Sequence, residues 1–239
     1  AEMQNPLLIL FLLGALQGAI GWIMVASGLT GDAIYVKPTK LALHFISAMV
    51  LVAYTYWFYL KLTVKEQERF RSKTLVRWVW VLLLLLTPQL IYGALMAGHK
   101  AATAAPTWPT INGDIVPGNL LRETPLLLNF IENKITIHFV HRSLAFLLFI
   151  STLIFTIKSF KLPAKGRLFI KNRLIPLALV CLQALLGILS VRMSTGIVPN
   201  VWGSFEWMAQ LHQIVGMMLL LGFIYQLYLL SPRKTTAPV

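Results

Sequence analysis

Two histidines and an arginine stand at the start of a long apolar segment, in the stretch Thr136-Ile137-His138-Phe139-Val140-His141-Arg142-Ser143. Apolar residues then dominate from Leu144 to Ile157, so the segment has the length and composition of a membrane-spanning helix. An arginine at membrane depth costs about 2.5–3.5 kcal/mol on insertion scales, and ionisable groups found there mark functional sites. The cluster is therefore a candidate functional site. Other apolar segments of the chain repeat the pattern with a single histidine each.

The composition of the 239-residue chain is that of a polytopic membrane protein, with 57% hydrophobic residues, 12% charged residues and a mean hydropathy of +0.73. A bilayer core about 30 Å thick requires roughly 20 apolar residues per helix. Runs of this length occupy residues 6–29, 39–63, 76–98, 136–157, 174–198 and 206–230. We predict an all-α membrane helical bundle with six transmembrane helices, surrounded by a lipid bilayer and leaving no room for a soluble domain.

The net charge of +13 is concentrated in two of the connections between the apolar runs. These two connections, counted with the run ends that border them, carry Lys61, Lys65, Arg69, Arg71, Lys73, Arg77, Lys158, Lys161, Lys165, Arg167, Lys171 and Arg173. Because basic residues mark the cytoplasmic side of a membrane protein, this surplus sets the topology and does not indicate nucleic-acid binding. The sequence predicts a multi-pass protein of the cell (inner) membrane, with both termini of this chain cytoplasmic and the other connections facing outward.

The apolar runs form an internal repeat of helical hairpins. Each outward-going run carries the pattern Gln-x-x-x-Gly, and the run that returns carries a histidine. The three sets are Gln17, Gly21 and His44; Gln89, Gly93 and His141; and Gln183, Gly187 and His212. Each histidine stands five or six residues inside its run, about 8 Å below the outer helix end at 1.5 Å per residue. Equal depth is what side chains from different helices need to share a ligand.

The repeated histidines His44, His141 and His212 are the candidate metal ligands. The single cysteine, Cys181, excludes a disulfide pair or a cysteine cluster, and the interior of the runs holds no carboxylate. Neutral imidazoles on facing helices suit the axial coordination of haem iron better than a zinc or di-iron site, which would use carboxylates or thiolates. We therefore expect these histidines near the outer face to bind haem iron.

Three further side chains lie near the predicted histidine site. Arg142 is a candidate partner for a haem propionate. His138, one helical turn before His141, either donates a hydrogen bond to a ligand of the metal or is itself an alternative ligand. His99 stands at a helix end in the interface, where we expect its side chain to be solvated.

The outer connection 99–135 is the longest and is either a lid or a simple link.

Several of these motifs resemble the haem A synthase family of cytochrome oxidase assembly proteins. The elements that carry the resemblance are Leu16-Gln17-Gly18-Ala19-Ile20-Gly21-Trp22, Ser27-Gly28-Leu29, Leu41-Ala42-Leu43-His44, Gly93-Ala94-Leu95-Met96-Ala97-Gly98, Phe139-Val140-His141-Arg142 with Ala145, and Leu211-His212-Gln213. Members of that family have eight helices in two pseudo-symmetric four-helix halves, each with a pair of haem-facing histidines. They oxidise a methyl group of haem O to the formyl group of haem A.

The resemblance implies roles for the histidines and partners for the chain. It implies that His141 and His212 bind a b-type haem as cofactor, with Arg142 beside it, and that His44 is the catalytic ligand near the substrate, haem O. Haem O synthase and an electron-transfer partner are the protein partners that such an activity implies.

The chain departs from the family pattern in its first half. Residues 76–239 correspond to a complete C-terminal four-helix half with the b-type haem site, whereas residues 1–75 correspond to a remnant of the N-terminal half. In the family, a further hairpin precedes that remnant and carries the partner histidine of His44 and a glutamate. That hairpin is not in the sequence given. We therefore expect haem binding at His141 and His212, little haem A from residues 1–239 alone, and exposure of Gly14, Gly18 and Gly21 to lipid.

An alternative function class remains open from the residues. A membrane cytochrome b that carries electrons would use the same pair of histidines without substrate turnover. A transporter or scaffold is disfavoured because transport sites prefer broken helices and intramembrane carboxylates.

Overall fold

The computed structural model describes residues 3–29, 34–163, 166–198 and 201–231 and is built from helices. The helices are α1 (Gln4–Ala26), α2 (Pro38–Thr63), α3 (Lys73–Gly98), α4 (Lys134–Lys161), α5 (Arg167–Asn172), α6 (Ile175–Met193) and α7 (Ser204–Leu230). Within the described ranges, β-pairing is limited to one isolated bridge between Ile111 and Asp114. Six helical spans are long and apolar enough to cross a membrane, which confirms the predicted all-α architecture.

Two boundaries in the fifth span differ from the prediction. The α-helix α6 ends at Met193, after which a single 3-10 turn covers Ser194–Gly196, although the apolar run continues to residue 198. The short helix α5 precedes it, in a stretch that we predicted to be part of a basic connection. Hydropathy alone reports where apolar residues stop, whereas a helix ends where its backbone groups find other partners.

The helix ends follow from local capping residues. The side-chain oxygen of Asn133 accepts hydrogen bonds from the backbone amides of Ile135 and Thr136, so α4 begins there and its cluster of polar residues falls in the first turns. At the start of α7, a carboxylate oxygen of Glu206 accepts from the amide of Gly203 at 2.9 Å. These caps fix the residue at which α4 and α7 begin, and therefore how far along each helix its histidine lies.

Four helices form a bundle in which the histidine-bearing helices lie diagonally opposite each other. Helix α3 packs against α4 and α7, and α6 packs against the same two helices, so α4 and α7 face each other across the bundle. Helix α7 is the most buried, and its residues Leu219, Phe223, Leu229 and Leu230 are fully inaccessible. Helix α2 packs on the outside of α3 and α7, and α1 packs against α2.

Helix α1 lies at the edge of the helical bundle and has no buried residue. Phe11 is 71% exposed and Trp22 is 74% exposed, as expected for apolar side chains that face lipid. A methyl group added at Gly14 or Gly18 would meet nothing within 4 Å, which agrees with the predicted exposure of these glycines. The prediction was wrong for Gly21, because the imidazole of His44 packs directly against it.

The two basic connections lie together at one end of the bundle. The backbone amide of Leu168 donates to the Glu68 carboxylate at 3.0 Å, which joins the connection after α2 to the one after α4. Arg69 donates to the carbonyl oxygen of Tyr228 at 3.1 Å and lies over its ring, so the same connection also covers the end of α7. The positive surplus of the sequence is therefore gathered on one side of the protein.

The remaining connections meet at the opposite end. Lys100 donates to the Tyr35 hydroxyl at 3.0 Å, and the Ser194 hydroxyl donates to the carbonyl oxygen of Ala102 at 3.1 Å. The connections after α1, α3 and α6 thus share one side, as the alternation of the spans predicts.

Candidate functional site

His141 and His212 come together in the interior of the four-helix bundle. Their ring centroids are 6.3 Å apart and the ring planes are inclined by 70°. A single metal ion held by one nitrogen of each ring requires about 6 Å between ring centres, from two bonds of about 2 Å and the two ring radii. The separation of the ring centres is therefore compatible with one ion held between the two imidazoles.

All three predicted histidines lie at a similar depth. Each stands six to eight residues after the first residue of its helix, which is Pro38, Lys134 or Ser204. At 1.5 Å per residue this is about 9–12 Å, slightly deeper than the sequence predicted because each helix begins one or two residues before its apolar run. The histidines thus share the end of the bundle that carries connection 99–133.

The repeat found in the sequence is a repeated contact in space. In each hairpin, the glutamine amide nitrogen touches an imidazole nitrogen of the paired histidine. The distances are 3.2 Å for Gln17 and His44, 3.3 Å for Gln89 and His141, and 3.2 Å for Gln183 and His212. The three hairpins therefore repeat one glutamine–histidine contact. In the first hairpin the nearest ring nitrogen is Nδ1 of His44, and in the other two it is Nε2.

The glycine of each set makes room for the ring. A methyl group added at Gly21 or Gly187 would lie 3.0 Å from Cε1 of its histidine, and one added at Gly93 would lie 3.4 Å from it. No ordinary side chain fits at the first two positions without displacing the ring. Gln-x-x-x-Gly therefore describes the surface against which the imidazole packs.

His44 has a more polar environment than the other two histidines. The Ser47 hydroxyl donates to the Gln17 side-chain oxygen at 2.5 Å, and the Gln17 amide also donates to the backbone carbonyl of His44 at 3.2 Å. The half-buried His44 makes these contacts within the α1–α2 hairpin, apart from the pair formed by α4 and α7. Ser47 was not singled out from the sequence, although its position one turn after His44 was a usable signal.

Arg142 joins α4 to the long outer connection. It is only 9% exposed, and its Nε donates to His138 Nε2 at 2.9 Å. Its terminal nitrogens donate to the backbone carbonyls of Thr107 at 2.6 Å and Thr110 at 3.0 Å, with a longer contact of 3.4 Å to Pro109. Among the described residues, these bonds leave one of its five N–H groups without an acceptor. The expected pairing with a haem propionate stays a prediction.

The other two polar predictions have defined partners in the structure. His138 is fully buried, and its Nε2 accepts from Arg142 Nε at 2.9 Å, so the ring lies beside the guanidinium. His99 was expected to be solvated, but its side chain is only 9% exposed and Nε2 lies 2.8 Å from the carbonyl oxygen of Ile131. The outer connection folds back over it, which no pattern within the helix itself could indicate.

The residues present fit a haem better than a bare metal ion. In the described part of the chain, no three His, Cys, Asp or Glu side chains come close enough together to hold a metal. Two imidazoles are side chains that haem iron accepts as its protein ligands, and His141 and His212 would be the residues that hold it. Buried polar atoms beside the pair also have no hydrogen-bond partner within the described residues, namely His141 Nδ1, Gln89 Oε1 and Gln183 Oε1. These atoms make the pair a polar centre inside an apolar bundle.

The fold and the site together define a class, the multi-pass membrane proteins that bring histidines together between their spanning helices. The family described as cytochrome oxidase assembly protein matches residues 1–224, and the chain belongs to that family.

The chain is also similar to curated bacterial proteins. A protein named "Heme A synthase" from Sinorhizobium fredii is 33% identical over 222 residues, covering 93% of this chain and 57% of the relative. One of the same name from Bradyrhizobium sp. (strain BTAi1) is 34% identical over 239 residues, covering 99% of this chain and 63% of the relative. One from Allorhizobium ampelinum is 33% identical over 187 residues, covering 78% of this chain and 51% of the relative.

The chain spans about half to two-thirds of the length of these relatives. No solved structure matches it.

Proposed function

We propose that this protein is a haem A synthase-like membrane oxidoreductase, which converts the methyl group of haem O to the formyl group of haem A for cytochrome oxidase assembly. The observation that carries the proposal is the pair of imidazoles from α4 and α7, 6.3 Å apart in the interior of the bundle. The names of the relatives favour this activity over the alternative of an electron carrier without turnover.

Each histidine has a distinct role in this proposal. His141 and His212 would hold a b-type haem by its iron, in a unit formed by residues 76–239. His44, in the hairpin within residues 1–75, would be the catalytic ligand facing the substrate haem. A haem bound there would supply one-electron chemistry, and His141 and His212 are the residues that would hold it. An electron-transfer partner and haem O synthase are the partners that this activity would require.

The protein's own residues would orient these ligands and keep water away from them. The three glutamines hold the imidazoles from one side, and the apolar helices around them exclude solvent. Arg142 lies one residue from His141 and binds the outer connection, so it would set the entrance to the site.

The proposed orientation places the histidines near the outer face of the membrane. The end of the bundle that carries Glu68 and Leu168 also carries the basic connections, and basic residues mark the cytoplasmic side. The opposite end, with connection 99–133 and the three histidines, would then face outward.

Histidine variants test the ligand assignment directly. His141→Ala and His212→Ala should each abolish the low-spin b-type absorbance of the purified protein, because one of the two proposed haem ligands would be lost. His44→Ala should leave that absorbance unchanged, and His99→Ala serves as the matched control because its imidazole is bonded to Ile131. Purified His141→Ala or His212→Ala protein with a full low-spin spectrum would refute the assignment.

Chromatography of extracted haems tests the activity. The chain, supplied with an upstream two-helix hairpin from a relative, is expressed in cells that make haem O and lack their own haem A synthase. Hydroxylated or formylated haem should appear with the wild-type chain and disappear with His44→Ala. Full b-type absorbance without any product would support the electron carrier instead.

A further inference from the structure

The tautomer of His212 can be read from its two hydrogen bonds. Its Nδ1 lies 3.0 Å from the backbone carbonyl oxygen of Gln183, and its Nε2 lies 3.2 Å from the side-chain amide nitrogen of the same residue. A carbonyl oxygen only accepts and an amide nitrogen only donates, so Nδ1 carries the proton and Nε2 presents its lone pair. Exchanging the amide oxygen and nitrogen would not alter this assignment, because the backbone carbonyl alone requires a proton on Nδ1.

The glycine four residues after the glutamine is what makes that carbonyl reachable. In a helix, each side chain covers the turn before its own Cα, so the residue at 187 would normally cover the carbonyl of Gln183. Gly187 has no side chain, and the imidazole of His212 packs into the space at 3.0 Å from the position of a Cβ. The carbonyl has a second lone pair free for the ring while it keeps its helical hydrogen bond.

The same arrangement recurs in the other hairpins with a graded fit. The position that a Cβ atom would take at Gly21 lies 3.0 Å from Cε1 and 3.4 Å from Nδ1 of His44. The corresponding distances from Gly187 to His212 are the same. At Gly93 the ring of His141 lies farther away, 3.4 Å at Cε1 and 4.0 Å at Nδ1. The Nδ1 atom of His141 also has no hydrogen-bond partner among the described residues. The ring of His141 therefore has the loosest fit of the three, and a tight fit alone does not produce the carbonyl bond, because Nδ1 of His44 lies against the Gln17 side-chain amide at 3.2 Å.

We infer that Gly21, Gly93 and Gly187 are positioning residues, each forming with the glutamine one turn earlier a seat that fixes the ring of the paired histidine. The seat of His212 holds Nδ1–H on a backbone carbonyl, so Nε2 is the nitrogen that a metal would take, in place of the hydrogen bond that Nε2 accepts from the Gln183 amide. The seat of His141 holds the ring less tightly, so the two histidines of the pair are not equivalent. This inference rests on the proposed ligation of haem by that pair, and it assigns the rigid ligand to α7.

Alanine substitutions test the graded fit. Gly187→Ala places a methyl group 3.0 Å from His212 Cε1 and must shift the ring, whereas Gly93→Ala leaves ordinary contact at 3.4 Å. Gly222→Ala on α7 is the matched control, because its nearest neighbour is Leu179 Cδ1 at 3.5 Å. Alanine is the better helix former in every case, so the helices themselves are not weakened.

The measurements are made on purified protein loaded with haem b in lipid nanodiscs. For Gly187→Ala we expect about tenfold faster loss of haem to apomyoglobin, a changed electron paramagnetic resonance signal of the low-spin ferric haem, and a shifted midpoint potential. Gly93→Ala should stay within about twofold of wild type, and Gly222→Ala should match it. Equal behaviour of Gly187→Ala and Gly222→Ala, or equal impairment of Gly93→Ala and Gly187→Ala, would overturn the inference.

A second measurement needs neither a variant nor haem. Long-range ¹⁵N–¹H NMR of histidine-labelled, haem-free wild-type protein reads the tautomer of each ring, and His212 should carry its proton on Nδ1. A proton on Nε2 would overturn the inference even if haem binds as proposed. If wild-type protein binds no haem while His212 shows the Nδ1–H tautomer, the proposed function fails and the seat remains.

Discussion

Replacing Arg142 by methionine should release the outer connection from α4. The guanidinium donates to the backbone carbonyls of Thr107 and Thr110 at 2.6 and 3.0 Å, and it lies 5.4 Å from the centre of the Trp108 ring. The Trp108 ring in turn stacks on Phe146 of α4 at 5.9 Å. Methionine keeps the apolar part of the side chain but provides no donor, so the change removes the charged hydrogen bonds and little of the packing.

The size of the effect follows from those two bonds. A hydrogen bond to a charged group contributes about 1.5–3 kcal/mol, and contributions of neighbouring bonds do not add in full. We therefore expect local opening of segment 107–112 to become easier by about 3 kcal/mol, which corresponds to roughly 100-fold faster amide exchange.

Hydrogen exchange of two amides reports on this segment. The amide of Asn112 donates to the Thr107 hydroxyl at 2.7 Å, and the amide of Ile111 donates to the Asp114 carbonyl at 2.8 Å. Both should exchange about 100-fold faster in Arg142→Met, measured in nanodiscs by mass spectrometry or NMR.

Arg122→Met is the matched control, because it removes the same charge from an exposed position of the same connection. Arg142→Lys should give an intermediate rate, since one ammonium group cannot reproduce the planar fork of the guanidinium. Equal exchange in Arg142→Met and Arg122→Met would refute the role assigned to Arg142.

Two further predictions concern the ends of the bundle. Reporters fused within 64–74 and 160–172 should read cytoplasmic and one within 104–120 should read periplasmic, because the basic connections share one end; the reverse pattern would overturn the proposed orientation. Arg69→Met should destabilise the protein by about 1–3 kcal/mol in thermal unfolding, because Arg69 covers the last carbonyls of α7, while the exposed Arg71→Met should have no effect. An unchanged midpoint in Arg69→Met would show that the end of α7 needs no such cap.

The positions of the spanning helices were predictable because they depend on local composition. Apolar runs of sufficient length must become helices in a bilayer, since their backbone groups find no other hydrogen-bond partners there. The predicted boundaries differ from the observed ones where the chain leaves the apolar region, as at the end of α1, the end of α4, the short helix α5 and the end of α6. There the backbone has water and neighbouring loops as partners, and local hydropathy no longer decides.

The pairing of glutamine, glycine and histidine was predictable as a pattern, but its purpose was not. The repeat placed Gln183, Gly187 and His212 at matching levels of one hairpin, since both helices rise by the same amount per residue. That the ring reaches the Gln183 carbonyl, and that Gly93 leaves its histidine more room than Gly187 does, depends on differences of a few tenths of an ångström between helices.

The sequence by itself determined the six spans, their alternation and the depth of the histidines, because bilayer thickness, charge distribution and helical rise act on each segment separately. The helical repeat alone did not show which histidines meet; the family resemblance implied the pair His141 and His212, and the tertiary structure brings these two together. Helices α4 and α7 are far apart in the chain, and they face each other because α3 and α6 each pack against both. The same holds for Arg142, whose carbonyl partners come from a connection more than thirty residues earlier in the chain. Backbone carbonyls are common to every residue, so no sequence pattern could mark the ones that a folded connection brings to this guanidinium.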